Sequence, residues 1–331
     1  MESKTILVTG GTGFTGSHLV RRLIKDGHTV RVVDNQKGYF YDEIAALGAD
    51  ITIGSVTDKD LMFKLVEGVD IVQHMAAAFR RVDLPKSVYW DVNVNGTKYL
   101  LEAAEQFGVE RFVYTSTCGV HGDVENPPAA ETAPIAPADY YQYTKWEGEK
   151  VAHEFMERGK LDIAILRPAA IYGPGDPERW VMLFKRVAPG RFFMLGSGNV
   201  TYHPLYIANL VDALVLAQEK PEAVGQTYLI ADEKYYKLND LVKEVARVLN
   251  VDVKVTHIPF WPVWAVAGLV ELGSKIINIS PPIFRRRVDW FRQNRAFDIS
   301  KAKRELGYEA KVDLYTGLSE TAVWYRENGY L

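Results

Sequence analysis

Residues 5–34 read TILVTGGTGFTGSHLVRRLIKDGHTVRVVD, and this stretch decides the fold. Thr5–Val8 is a short apolar run that stops at glycines. A helical pattern follows, with Phe14, Leu19, Val20, Leu23 and Ile24 on one side, and Thr29–Val33 is a second strand ending at Asp34. Between the first strand and the first helix, Gly10 permits a tight turn. Gly13 lets the backbone approach a pyrophosphate without a Cβ clash, and Gly16 lets the helix pack close to the sheet. The N–H groups and dipole at the helix start attract phosphate. Asp34 is placed to accept hydrogen bonds from adenosine ribose hydroxyls and to repel a 2′-phosphate, which favours NAD over NADP, although Lys37 nearby blurs that preference.

Outward from this unit, strands are predicted at Ile51–Ile53, Ile71–His74, Arg111–Thr115 and Asp162–Leu166. Helical patterns lie at Leu61–Val66, Trp90–Phe107 and Tyr140–Glu157. The alternation predicts an α/β chain, a Rossmann-type doubly wound parallel sheet covered on both faces. Regularity weakens after Pro168, where Gly173-Pro174-Gly175 and Pro177 make a loop rich in helix breakers. Shorter strands follow at Arg191–Met194 and Tyr228–Ile230, with helices at Leu210–Glu219, Leu238–Leu249, Trp261–Ile277, Ser300–Leu306 and Leu314–Asn328. The expected division is a nucleotide-binding domain over 1–168, to which about 195–230 crosses back, and a smaller mixed α/β C-terminal lobe over 169–331 that binds substrate.

With 331 residues, 47% hydrophobic and 24% charged, the chain is neither disordered nor a disulfide-stapled module. A net charge of −3 provides no global attraction to nucleic acid. The single cysteine, Cys118, excludes an intrachain disulfide and fits a reducing compartment. No basic segment followed by an apolar core opens the chain, and no apolar run reaches the ~20 residues of a membrane span. A cytoplasmic protein is therefore expected. No His/Cys/Asp/Glu spacing suggests a metal site.

Residues 140–150 read YYQYTKWEGEK. Tyr141 and Lys145 are four apart and share a helix face. A free phenol is a poor base at neutral pH, and a nearby ammonium stabilises its phenolate. Tyr140 and Tyr143 compete for the role, but only Tyr141 has a lysine at +4. Thr115, Ser116 and Thr117 lie where a strand emerges into a loop, at the end of the sheet where ligands bind.

Together these motifs resemble the extended short-chain dehydrogenase/reductases, the epimerase/dehydratase superfamily, over nearly the whole chain. The TGxxGxxG turn occurs at Thr9–Gly16, and STCGVHG corresponds to the family's SSxxVYG-like loop, which puts the catalytic hydroxyl on Thr117. Tyr141 and Lys145 match YxxxK, and Asn95 in NVNGT matches the helix asparagine that supports the active site. RPAAIYGPG at 167–175 matches the segment leading into the substrate lobe. The resemblance implies an NAD-dependent oxidoreductase with Thr117, Tyr141, Lys145 and Asn95 as catalytic residues. It implies a cofactor held by Gly10, Thr12, Gly13, Phe14, Thr15, Gly16, Asp34, Ser55, Val56, Met75, Ala76, Ala77, Tyr141, Lys145, Pro168 and Ile171. It also implies a homodimer through 90–107 and 140–157. Gly54 is followed by Ser55 rather than the family's common Asp, so the adenine contact is weaker or falls to Asp58.

For the substrate, the nucleotide-sugar branch has an RDFxYV-like segment whose Arg grips a diphosphate. Here residues 202–207 read YHPLYI, with Tyr202 at the Arg position. Together with FDISKAKRELGY at 297–308, this resembles the 3β-hydroxysteroid dehydrogenase branch better. The implied reaction is oxidation or reduction of a secondary alcohol or ketone of an alicyclic or lipid-like molecule, with decarboxylation where a carboxylate lies β to the ketone. A nucleotide-sugar 4-epimerase or dehydratase with tightly bound NAD is the alternative, and a non-catalytic NAD-binding protein a third. The apolar segment 260–284, followed by Arg285-Arg286-Arg287, suits a weak peripheral membrane contact. Glu271 and Lys275 interrupt it, which favours a helix packed over the pocket.

Overall fold

The computed structural model describes residues 2–79, 84–176, 179–276 and 285–331. Along the chain run β1 (Thr5–Thr9), α1 (Phe14–Lys25), β2 (Thr29–Asp34), α2 (Tyr41–Ala46), β3 (Asp50–Ile53), α3 (Lys59–Val66) and β4 (Ile71–His74). Then come α4 (Lys86–Trp90), α5 (Gly96–Phe107), β5 (Arg111–Thr115), α6 (Tyr140–Arg158) and β6 (Ile163–Pro168). The second half holds β7 (Ala170–Tyr172), α7 (Arg179–Val187), β8 (Arg191–Leu195), β9 (Thr201–Tyr202), β10 (Pro204–Tyr206), α8 (Ile207–Glu219) and β11 (Gln226–Ile230). It continues with β12 (Tyr236–Lys237), α9 (Leu238–Leu249), β13 (Lys254–Ile258), α10 (Phe260–Ile276), α11 (Arg285–Asp289), α12 (Ser300–Leu306) and α13 (Leu314–Glu327).

Seven parallel strands form one sheet in the order β11-β6-β5-β4-β1-β2-β3. β4, β5 and β6 are buried at every position, as strands covered on both faces must be. Helices α1 and α8 pack together, as do α3, α5 and α6, and two apolar clusters fill the space on either side of the sheet. The strand order reverses between β1 and β4, which opens a crevice at the carboxyl ends of the strands. Register aligns Thr9 with Val33 and His74, and Thr115 with Leu166, so these residues share one rim.

The later chain makes three two-stranded pairs, β7–β10, β8–β13 and β9–β12. Its core is aromatic: Tyr172 and Trp180 rings lie 4.6 Å apart, Tyr172 and Tyr206 5.4 Å, and Phe184 and Tyr325 5.3 Å. Pieces too short for a periodic signal (α2, β7, β9, β10, β12) lie outside the sequence expectation, as do α7 and β13. The helix expected over Trp90–Phe107 begins at Lys86 and is interrupted by a π-helical turn at Asp91–Asn95. Ile277, the expected end of the apolar helix, lies outside the described residues.

That helix, α10, does not bury its apolar side. Trp261, Val266, Leu269 and Leu272 are among its exposed residues, together with Pro262, Ala265 and Gly273, while Ala267 and Ser274 are buried. From Trp261 to Gly273 the exposed residues of α10 carry no charge.

His18, His74 and His203 are built in as neutral rings. His203 accepts from the Phe297 N–H at Nδ1 (3.2 Å) and contacts the Asp232 carbonyl through Nε2 (2.8 Å), which requires the proton on Nε2. His18 donates from Nε2 to the Pro174 carbonyl (2.8 Å). Burial pushes both down to about 4, and pushes His74 well below the ordinary histidine value. The unfolded chain takes up protons below about 6.5, where these rings in the fold do not. Stability is therefore full above pH 6.5 and falls as pH drops toward 4. Urea unfolding at pH 7, 6 and 5 should show a decline of a few kcal/mol in total, about 1.4 kcal/mol per proton per pH unit; a flat profile over that range would refute it.

Candidate active site

The crevice at the strand rim continues into the aromatic lobe as one cavity of about 980 Å³. Its first wall is the glycine turn. Gly10 takes φ +73°, a left-handed conformation only glycine adopts freely, and a Cβ there would meet the Ala76 backbone at 3.1 Å. A Cβ at Gly16 would overlap the Gly10 carbonyl, so this glycine lets α1 close on its own turn as well as on the sheet. At Gly13 a Cβ would meet only the Gly10 carbonyl, at 3.5 Å, which leaves the cavity side open. Helix α1 starts here with no acidic residue in its first turn and no side-chain cap. Its leading N–H groups have no partner within the helix.

Phe14, Thr15, Ser55, Val56, Met75, Ala76, Ala77, Pro168 and Ile171 line the cavity with the three glycines, Asp34, Thr117, Tyr141 and Lys145. Thr12 does not. It is fully buried, and its backbone N–H (3.1 Å) and hydroxyl (2.7 Å) both bond one oxygen of Asp34. Thr12 therefore orients the carboxylate that faces the cavity. Lys37 lies over the Tyr41 ring at 4.7 Å and does not line the cavity, so it leaves Asp34 to set the ribose preference. Asp58 caps α3 by accepting from the Leu61 N–H at 3.0 Å and is not among the described residues that line the cavity. These walls fit a dinucleotide. The buried Thr115 hydroxyl, which has no hydrogen-bond partner within the protein, also lines the cavity.

Helix α6 carries Tyr141 and Lys145. Asp139 caps it by accepting from the Gln142 N–H (2.9 Å), while Gln142 Oε1 accepts from the Ala138 N–H (2.7 Å). This fixes the helix phase and hence the direction of Tyr141 and Lys145. Tyr141 is partly exposed to the cavity, with the Phe79 ring 4.7 Å from its own. Lys145 is 1% exposed, its Nζ 4.1 Å from the centre of the Tyr114 ring. Burial lowers its pKa to about 7, and Glu149 opposes that fall.

Thr117 stands in extended backbone (φ −159°) before the 3₁₀ turn Cys118–His121, and its hydroxyl oxygen accepts from the Gly119 N–H at 3.1 Å. The hydroxyl proton remains available to a ligand. Ser116 differs: it donates to Glu149 behind the loop. Cys118 is buried, its thiol donating to the Arg167 carbonyl (2.9 Å), and burial raises its pKa well above the usual value.

The asparagine that the structure buries and bonds to α6 is Asn93, whereas Asn95, the residue expected to support the site, faces away from it. The π-helical turn adds a residue to the helix period and rotates the face presented inward. Asn95 is only partly buried, and its amide donates to Asp91 at 2.9 Å. Asn93 is fully buried: its Oδ1 accepts from the Ala78 N–H (2.8 Å), and its Nδ2 donates to the Ala78 carbonyl (3.2 Å) and the Thr144 hydroxyl (2.9 Å). A chain of bonds joins it to the glycine turn. Thr9 Oγ1 accepts from Met75 and Ala76 N–H (3.1 and 3.0 Å), so its proton goes to His74 Nδ1 (2.8 Å). His74 Nε2–H then donates to Thr97 (3.0 Å), and Thr97 donates to the Asn93 carbonyl (2.8 Å). Asparagine identity signalled such a role in the sequence; which asparagine fills it depends on the π turn.

Replacing Asn93 by Ala strands the Thr144 and Ala78 groups and should cost about 2 kcal/mol. Asn95→Ala should stay within about 0.5 kcal/mol. Chemical denaturation of both variants checks this, and equal losses would contradict the assignment.

Residues 6–231 match the model of the NAD dependent epimerase/dehydratase family. The chain is 30% identical over 319 residues to an Escherichia coli N-acetyl-α-D-glucosaminyl-diphospho-ditrans,octacis-undecaprenol 4-epimerase, covering 96% of this chain and 93% of that protein. It is 30% identical to a decarboxylating sterol-4-α-carboxylate 3-dehydrogenase from Candida albicans, with 98% of each covered. Its fold matches that of the dTDP-glucose 4,6-dehydratase DesIV from Streptomyces venezuelae, solved with NAD bound, at a TM-score of 0.79 and 26% identity, over 98% of this chain and 97% of that one. With the glycine turn, Asp34 and the Tyr141–Lys145 pair in one cavity, the chain belongs to the NAD dependent epimerase/dehydratase family.

Proposed function

We propose that the protein is an NAD-dependent oxidoreductase acting on a secondary alcohol or ketone of an alicyclic, lipid-like molecule. The observation that carries this reading is the aromatic wall opposite the cofactor groove. Trp180, Phe192, Tyr202, Trp290, Phe291 and Phe297 line the cavity. Tyr202, at the position of the sugar-nucleotide arginine, is 3% exposed and packs its ring 6.0 Å from Trp180 and 5.2 Å from Trp290. A flat apolar ring system suits such walls better than a pyrophosphate does.

NAD, when bound, supplies the hydride acceptor. Tyr141 takes the proton of the substrate hydroxyl. Thr117 donates its own proton to the substrate oxygen, since Gly119 N–H already occupies its acceptor side. Lys145, as an ammonium, holds the nicotinamide ribose and stabilises the phenolate. Where the substrate carries a carboxylate β to the new ketone, loss of CO₂ leaves an enolate that the same groups stabilise.

A second reading, 4-epimerisation of a sugar carried on a diphosphate, is favoured by Arg186 and Arg295, which line the same cavity. The two separate by stoichiometry. A panel of 3β-hydroxysteroids, alicyclic alcohols and UDP-sugars with added NAD or NADP should give net reduced nicotinamide with an alcohol and NAD. Sugar interconversion without net reduction would support the second reading instead. Tyr141→Phe should lower kcat by about 10²–10⁴-fold with little change in NAD affinity, and a variant that turns over normally would exclude both.

Helix α10, whose exposed residues from Trp261 to Gly273 are uncharged, packs against the segment that lines this cavity. Trp264 of α10 donates to Asp289 of α11 (3.1 Å), and Asp289, Trp290 and Phe291 line the wall. Arg285 lies over the Trp264 ring at 4.0 Å. This arrangement supports lateral entry of substrate from a lipid surface. No described helix is long and apolar enough to cross a membrane. The protein should co-sediment with vesicles containing anionic lipid, and Leu269→Ser with Leu272→Ser should weaken that by about tenfold or more. Equal sedimentation of both forms would overturn it, and self-association lost in the variant would assign the stripe to a second copy.

A further inference from the structure

Behind the hydroxyl loop lies a set of buried charges that the proton transfer does not itself touch. Glu149 follows Lys145 by one helical turn, so Tyr141, Lys145 and Glu149 share one face of α6. Glu149 is fully buried. Arg167, at the end of β6, reaches it through Nε (3.1 Å to each carboxylate oxygen) and Nη2 (2.6 Å). Ser116 completes the shell by donating its hydroxyl to Oε1.

The same cluster grips the loop on both sides of Thr117. Ser116, just before it, is held by Glu149. Cys118, just after it, is held by the Arg167 carbonyl. Farther along, Arg167 Nη1 donates to His121 Nε2 (3.1 Å) and to the Glu131 carbonyl (3.3 Å). His121 then donates from Nδ1 to the Pro134 carbonyl (3.2 Å), a neutral ring.

We propose that Glu149 is a positioning residue for the reaction: its carboxylate keeps Lys145 an ammonium within a dry site and, through Ser116, sets Thr117 against the substrate. This deepens the reading of the Thr117–Tyr141–Lys145 site and rests on it. The groups around Lys145 leave the task to Glu149. Tyr114 of β5 presents a ring face below the ammonium, and burial holds its phenol neutral. His74 of β4 is neutral, with both nitrogens engaged. Tyr141 lies one turn before Lys145 on α6. Arg167 spends its charge on Glu149, and the trio of Lys145, Glu149 and Arg167 carries one net positive charge. Burial draws Lys145 down to about 7, and the carboxylate is what acts against it.

The test uses the full chain loaded with NAD and reads Lys145 directly, by ¹³C NMR of lysine Cε against pH, assigned with Lys145→Gln. Wild type should titrate near neutrality. Removing a nearby opposite charge lowers an amine pKa, so Glu149→Gln should move the midpoint down by about one unit or more, with Glu149→Asp recovering part of the shift. Glu149→Gln leaves Arg167 unpaired and is prone to unfold. Glu149→Gln combined with Arg167→Gln removes both charges, and because losing the Arg167 cation acts the opposite way, a smaller downward shift is expected. A midpoint that stays in place in a folded variant overturns the electrostatic role. Ser116→Ala, tested on whichever substrate the panel identifies, should lower kcat with little effect on KM and leave the Lys145 midpoint in place. An unchanged kcat overturns the positioning role. The titration needs no substrate, so failure of the sterol reading and failure of this one are distinguishable.

Discussion

A lysine amine is buried in this protein, 1% exposed, where its charged form loses hydration. Lys145 is the constraint on which the site depends, because an ammonium taken out of water tends to shed its proton. The fold surrounds it with partners of different kinds: the π face of Tyr114 at 4.1 Å, and the Glu149 carboxylate one turn along the same helix. Glu149 is itself secured by Arg167 and Ser116. A buried ion pair of this sort contributes little net stability. Its value lies in what it fixes, namely the charge state of one lysine and the position of one hydroxyl loop.

The second organising feature is continuity between the glycine turn and the catalytic helix. Thr9, His74, Thr97 and Asn93 form one hydrogen-bonded line across the ends of β1 and β4 and into the helix below, and Asn93 passes it to Thr144 on α6. Every group in that line is buried and paired, so the arrangement is rigid. The groove that receives a dinucleotide and the helix that presents Tyr141 are thus positioned against each other by the same bonds. The later chain is different in character. Aromatic rings in tilted and edge-on contact fill its core beside a buried polar cluster around Asp232, and it carries on its outside an apolar helix stripe that the core does not cover.

Much of the site was legible because its signals are local. Gly10, Gly13 and Gly16 report backbone demands at fixed spacing, and Tyr141 and Lys145 report a shared helix face. Where the reading departed from the structure, a non-local fact intervened. Asn95 carries the matching motif position, but a π turn rotates the helix so that Asn93 points inward. Thr12 belongs to the glycine motif, yet its side chain is consumed by Asp34. Glu149 sits at a spacing that could have been read from Lys145, but its weight comes from Arg167, eighteen residues away along the chain. The interruptions at Glu271 and Lys275 suggested a packed helix, whereas the exposed residues of α10 from Trp261 to Gly273 are uncharged.

The sequence by itself determined the strand–turn–helix unit, the parallel alternation that follows it and the shared helix face of Tyr141 and Lys145, because each is a matter of periodicity or backbone freedom over a few neighbouring residues. Only the tertiary structure decided which asparagine supports the site, which hydroxyl remains available to substrate, and how the later aromatic residues line the cavity. Those outcomes depend on burial and on partners brought together from distant segments, and such contacts leave no period in the chain.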